Sequence, residues 1–140
     1  MLKTYKNIVV AIDFSEKAKV AFERGMNVAR LTDATLNLVS VIDTHSFGSV
    51  EAYDLKYAKA LKEKTLDQLK EYKVIAEQAG VKNVQVSVEE GSPKAVLTNL
   101  TEADLIIIGA TGLNRAERFL LGSVSENVVR SANCDVLVVR

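Results

Sequence analysis

Gly109 and Gly112 stand three apart, nine residues separate Gly112 from Gly122, and Ser123 follows at once. This spacing suits anion binding. Glycine lets a ligand approach the main chain, and the first turn of a helix offers unpaired N–H groups at the positive end of its dipole. A phosphate chain fits both. Arg115 and Arg118, inside the loop, can meet phosphate oxygens; flanking Glu117, they equally suit a solvated turn.

The elements around this loop follow from its neighbours. Leu105 to Ile108, opened by Asp104, reads as a strand buried on both faces. Ser123, with Glu126 three residues later, matches a capping box, and Val124, Val128 and Val129 can share one face of the helix it opens. A second candidate group lies near the amino end. Ile8 to Asp13 reads as a buried strand ending in an acid, and Ser15 caps a helix whose positions Ala18, Ala21, Phe22, Gly25, Met26 and Ala29 recur at helical spacing. Asp13 can accept hydrogen bonds from a ligand beyond the carboxyl end of its strand, or it can cap the local turn.

Two common phosphate loops are excluded. No G-x-x-x-x-G-K-[ST] occurs, and no G-x-G-x-x-G follows a strand. The spacing Gly109-Ala110-Thr111-Gly112, nine residues, Gly122-Ser123 instead resembles the G-x2-G-x9-G-[ST] signature of the ATP-binding branch of the universal stress protein family. The similarity continues through Asn7 to Ser15 (NIVVAIDFS), Leu36 to Asp43 (LNLVSVID), Glu90 to Pro93 and the final VLVVR, in family order, and so covers essentially the whole chain.

The resemblance implies a nucleotide site. Asp13 would contact the ribose, and Val41 would read the adenine edge with its main-chain N–H and C=O. The implied binding set is Ala11, Asp13, Val41, Gly109, Ala110, Gly112, Arg115, Gly122, Ser123, Val124 and Ser125. ATP is the expected ligand, accompanied by Mg²⁺ or Mn²⁺ held through phosphate oxygens and water. No catalytic apparatus accompanies the set: the loop has no lysine between its glycines, so any hydrolysis should be slow. The expectation is therefore a nucleotide-dependent regulatory or stress-response module, open to protein partners. A slow metal-dependent ATPase or nucleotidyl transferase is the alternative.

Composition agrees. At 140 residues, 48% of them hydrophobic, the chain is expected to be one domain spanning residues 1–140 with a sizeable core. Lys plus Arg equals Asp plus Glu at 18 each, which gives no reason to expect a broad basic face for nucleic acid or anionic membranes. No signal-peptide pattern opens the chain, and no apolar run approaches the roughly 18 to 20 residues of a membrane span, so a cytoplasmic protein is expected. The lone Cys134 suits a reducing compartment and reads as a packing residue between the last helix and last strand. His45, the single histidine, reads as a solvated loop residue, and without further His or Cys a zinc site of the usual composition is missing.

Further strands are expected at Leu36 to Val41, Val84 to Val88 and Asp135 to Arg140, with a loop from Asp43 to Gly48. A long helix is expected from Val50 to Ala79, stopped by Gly80, and another from Ser92-Pro93 to near Thr101. Strands alternating with helices predict an α/β fold: a doubly wound, Rossmann-like, five-stranded parallel sheet in order 3-2-1-4-5 with helices on both faces. Strands one and four then meet at the switch point, where Asp13 and the glycine loop share a crevice. The last strand lies at an edge with Val136 to Val139 unbroken by charge or proline, so a homodimer through that strand is expected, as the resemblance also implies. A phosphorylation-controlled receiver domain lacks its paired acids here, and a Ser-His-Asp hydrolase lacks its G-x-S-x-G elbow.

Overall fold

The computed structural model describes residues 4–43, 55–110 and 121–140. Among the described residues nine elements alternate in chain order: β1 (Asn7–Ala11), α1 (Glu16–Thr32), β2 (Thr35–Asp43), α2 (Leu55–Gln78), β3 (Asn83–Gly91), α3 (Pro93–Thr98), β4 (Leu105–Gly109), α4 (Ser123–Ser131) and β5 (Asp135–Val139). The strands form one sheet in the order β3-β2-β1-β4-β5, as the alternation predicts, and every pairing is parallel.

Register sorts the apolar runs between two cores. Ile8 aligns with Leu36 on one side and Leu105 on the other, and Val10 with Leu38 and Ile107. These residues meet Phe22 and Ala29 of α1 and Leu69 and Ala76 of α2. The alternate set, Val9, Val39, Ile106 and Ile108, meets Leu97 of α3 and Val128 of α4. Side chains alternate across a strand, so a strand apolar at every position must be covered on both faces, and β4 is buried throughout. Gly25 brings α1 close to the sheet, since a Cβ there would lie 2.5 Å from Val10 Cγ2.

Polar contacts fix the amino ends of the central strands. The Asp104 carboxylate accepts from the main-chain N–H groups of Lys6 (2.8 Å) and Asn7 (3.1 Å), and the Asp104 N–H returns a bond to the Asn7 carbonyl at 3.0 Å. Cys134 is half-buried against the α3/α4 core, the packing role expected of it.

Several expectations need correction. The first strand ends at Ala11 rather than Asp13, because Phe14 adopts a left-handed conformation (φ 63°) and turns the chain out of the sheet. The second strand begins at Thr35 and continues to Asp43, and the third extends to Asn83–Gly91, because their mutual pairing runs unbroken from Thr35↔Asn83 to Asp43↔Gly91. The third helix stops at Thr98, where the Asn99 N–H bonds Ala95 O, rather than near Thr101. The described part of the second helix is Leu55–Gln78; the expected start at Val50, and His45, lie outside the described residues. Among the described residues, no helix is long and apolar enough to cross a membrane.

Candidate functional site

Adjacent parallel strands end together, so β1 and β4 deliver the turn after Ala11 and the start of the glycine loop to one edge of the sheet. After β1, the Asp13 Oδ1 accepts from both the N–H (3.0 Å) and the hydroxyl of Ser15. Ser15 Oγ in turn accepts from Ala18 N–H at 3.2 Å as the N-cap of α1. Asp13 thus serves the turn and remains exposed: Oδ2 has no hydrogen-bond partner among the described residues. The two roles anticipated for this acid are compatible, one per oxygen. The unfavourable backbone of Phe14 is held by its ring, which meets Tyr72 of α2 edge-on at 5.8 Å, while Tyr72 tilts against Phe22 at 4.8 Å. Partial burial raises the Tyr72 pKa above its ordinary value, with Glu16 and Glu71 adding to the shift.

On β2, the last bond to the β1 chain runs from Ile12 N–H to Val39 O at 2.8 Å. Successive residues of a strand direct their main-chain groups to alternate neighbours, so Val41, two residues on, directs N–H and C=O to the same side as Val39. There the β1 chain has already turned away at Phe14. Val41 thus presents a donor and an acceptor past the end of the β1–β2 ladder, and the half-buried Ala11 closes that ladder opposite Val39.

The loop after β4 is closed at its base. Ala110 donates its N–H to Val139 O (2.8 Å) and its carbonyl accepts the Gly122 N–H (2.7 Å), so the chain leaves and returns at one point. Beyond this closure α4 begins, and its first intrahelical bond runs from Glu126 N–H to Gly122 O. The N–H groups of Ser123, Val124 and Ser125 have no partner within the helix, as in any first turn. The buried Ser125 hydroxyl donates to the Gly109 carbonyl at 2.6 Å, fixing α4 to the end of β4.

Two readings of this segment are corrected. Gly122, not Ser123, is the N-cap, and no side chain bonds the cap; Ser123 is the first helical residue because Gly122 is anchored to Ala110. Val128 is fully buried, whereas Val129 is 46% exposed, so the apolar face of α4 runs through Ser125 and Val128. Gly109 also has a packing reason to lack a side chain: a Cβ would lie 2.9 Å from Lys17 Cβ and 3.0 Å from Lys17 C, in the first turn of α1. Sequence reasoning missed Lys17, because nothing local ties it to Gly109. Gly112, Arg115, Glu117 and Arg118 lie outside the described residues.

Among the described residues, no group of three or more His, Cys, Asp or Glu is placed to hold a metal ion. A groove of about 470 Å³ lies elsewhere, lined by Asn7, Thr35 and Asn37 near the amino ends of their strands and by the segment Asn99 to Ala103. It includes none of the expected site residues, and Asn37 turns its amide to the Ile8 carbonyl there at 3.3 Å.

The arrangement has counterparts. The sequence model of the universal stress protein family matches residues 4–140. A relative from Staphylococcus saprophyticus named as a universal stress protein is 48% identical over 141 residues, covering 98% of this chain and 84% of its own length. Among solved structures, universal stress protein UspA from Lactobacillus plantarum superposes with a TM-score of 0.87 at 29% identity, covering 99% of this chain and 100% of that one. A universal stress protein solved in complex with cAMP gives a TM-score of 0.74 at 26% identity, covering 99% of this chain and 98% of the other. By sequence across nearly its full length and by strand order, the chain belongs to the universal stress protein family.

Proposed function

We propose that the chain binds ATP at the carboxyl edge of its sheet and acts as a dimeric, cytoplasmic regulatory module of the stress response. In this reading, nucleotide occupancy changes the dimer surface met by protein partners. The observation that carries the reading is the base of the glycine loop. Gly122 is fastened to Ala110 and Ser125 to Gly109, which holds the first-turn N–H groups of Ser123, Val124 and Ser125 beside the end of β4. Donors fixed in this way bind phosphate without being reorganised. The expected phosphate set also includes Gly112 and Arg115, which lie outside the described residues.

The other end of the ligand fits the remaining groups. Asp13, with Oδ1 held by Ser15, keeps Oδ2 to accept from the ribose hydroxyls. The donor and acceptor of Val41 match the N1 acceptor and 6-amino donor of adenine; guanine presents the reverse pattern there. Mg²⁺ or Mn²⁺ would be carried on the phosphate oxygens and water. The cAMP complex of a family member supports an adenine nucleotide as the ligand class.

The test is calorimetric titration of the full chain with ATP, AMP and GTP in Mg²⁺, alongside mass spectrometry of any ligand released from purified protein. ATP should bind and GTP should bind far more weakly. Asp13→Ala should weaken ATP by about tenfold to a hundredfold, the value of hydrogen bonds to a charged acceptor. Absence of ATP binding by the unaltered protein would remove the proposal.

A further inference from the structure

Lys17 occupies the second position of α1, where it breaks a local rule. A helix favours acids in its first turn and cations in its last, because the macrodipole is positive at the amino end. The cation here has no compensating partner among the described residues, neither ion pair nor side-chain hydrogen bond. Its neighbours one turn on are Val20 and the fully buried Ala21, which carry no charge. Glu16 precedes it, but adjacent helical positions do not face one another, and Glu16 lies close enough to Tyr72 to raise the pKa of that phenol.

The position of the stem is set by the glycine loop's first residue. The space that a Gly109 side chain would need is taken by Lys17 Cβ and main chain, at 2.9 to 3.1 Å. Gly109 is therefore clasped from both faces of the sheet, by the first turn of α1 through Lys17 and by the first turn of α4 through Ser125. Helical side chains lean toward the amino end of their helix. That lean favours a course for the four-carbon stem of Lys17 toward the carboxyl edge of the sheet, where the loop departs.

Resting on the ATP reading, we propose that Lys17 is a specificity residue that supplies a counter-charge to the β- and γ-phosphates and so sets the preference for ATP over AMP. The dipole penalty it carries in the free protein is offset further when a ligand anion arrives. A polyphosphate brings several negative charges to an edge that already exposes the Asp13 carboxylate, and a cation entering from the α1 side balances part of that charge. AMP, whose single phosphate lies nearer the ribose, gains less from it.

The experiment is titration of ATP and AMP into the wild-type chain and into Lys17→Met and Lys17→Arg, at low and high salt, with thermal melting of each. Lys17→Met keeps an unbranched apolar stem against Gly109 and removes the charge. It should weaken ATP about tenfold, change AMP less than about twofold, and flatten the salt dependence of ATP binding. Its melting temperature should equal or exceed that of wild type, an outcome that a structural role for the charge does not give. Lys17→Arg should restore the ATP-to-AMP ratio. An unchanged ratio in Lys17→Met overturns the assignment and leaves the nucleotide site standing. Failure of the wild-type chain to bind either nucleotide overturns both.

Discussion

The Ser125 hydroxyl donates to the Gly109 carbonyl across 2.6 Å, joining the first turn of α4 to the last residue of β4 inside the core. The bond does two things. It satisfies a buried hydroxyl, and it sets the angle at which the amino end of α4 meets the sheet edge. Ser125→Ala should therefore destabilise the protein by about 1 to 2 kcal/mol, the loss expected when a buried hydrogen bond is removed and a carbonyl is left behind. Urea unfolding should report it as a lower midpoint with unchanged slope. Affinity at the proposed ATP site should fall as well, because the first-turn donors lose their fixed position.

Gly109 is the partner in that bond and has its own constraint. Adding one methyl group places a Cβ 2.9 Å from Lys17 Cβ, 3.0 Å from Lys17 C and 3.1 Å from Lys17 O. Two of these three atoms are backbone, so no rotamer change relieves the clash. Gly109→Ala should cost about 1 to 3 kcal/mol, as overpacking does elsewhere. Shortening the neighbour in Gly109→Ala/Lys17→Ala should recover almost none of it. Equilibrium unfolding of the two variants checks this, and full recovery in the double variant would show that flexible side-chain atoms alone fill the space.

These two contacts also mark the limit of sequence reading. The strand order and the two-faced burial were legible, because runs such as Leu105 to Ile108 are apolar at every position and alternate with helical spacing. The edge of the sheet at which the glycine spacing starts was legible for the same reason: it begins where a strand ends. The cap of α4 was not legible. Gly122 and Ser123 both suit an N-cap, and the choice is decided by the bond from Gly122 N–H to Ala110 O. Val124, Val128 and Val129 are equally compatible with helical spacing, and only the packing of α4 buries Val128 and exposes Val129. Ser125 reads as an ordinary polar helix residue until the end of β4 is placed beside it. Lys17 is invisible in the same way, since its contact with Gly109 joins segments far apart in the chain.

Tyr72 makes the stability respond to alkali. Its raised pKa, caused first by burial and then by Glu16 and Glu71, means that the folded chain holds the phenolic proton to higher pH than the unfolded chain. Where the folded state binds more protons than the unfolded state, stability falls as pH rises. The contribution is complete below the ordinary phenol value of 10.0 and is lost as pH climbs through the raised value in the folded protein. Tyr72→Phe should show a shallower decline across that window than wild type in urea titrations at successive pH values. Identical declines would place the alkaline sensitivity elsewhere. Because Tyr72 also braces Phe14, and Phe14 adjoins Asp13, affinity at the proposed nucleotide site should weaken over the same pH range.

The last prediction concerns β5. Among the described residues it forms one edge of the sheet and pairs with β4 alone, and Val136, Leu137 and Val138 are each half-buried in the single chain. An edge strand without an interior charge or proline invites a second strand, and a two-fold axis allows two copies of β5 to satisfy one another. The proposed dimer should appear in light scattering at twice the chain's 15.3 kDa. Val138→Lys puts a charge on each copy near the pairing line and should release monomers. Val138 aligns with Ile108 on β4 and packs against the α3/α4 core, so the lysine must keep its stem on that surface while its ammonium reaches water. Circular dichroism should confirm that the released monomer remains folded. A monomeric wild-type chain would refute the dimer, and a dimer that survives the lysine with β5 intact would move the interface away from this strand.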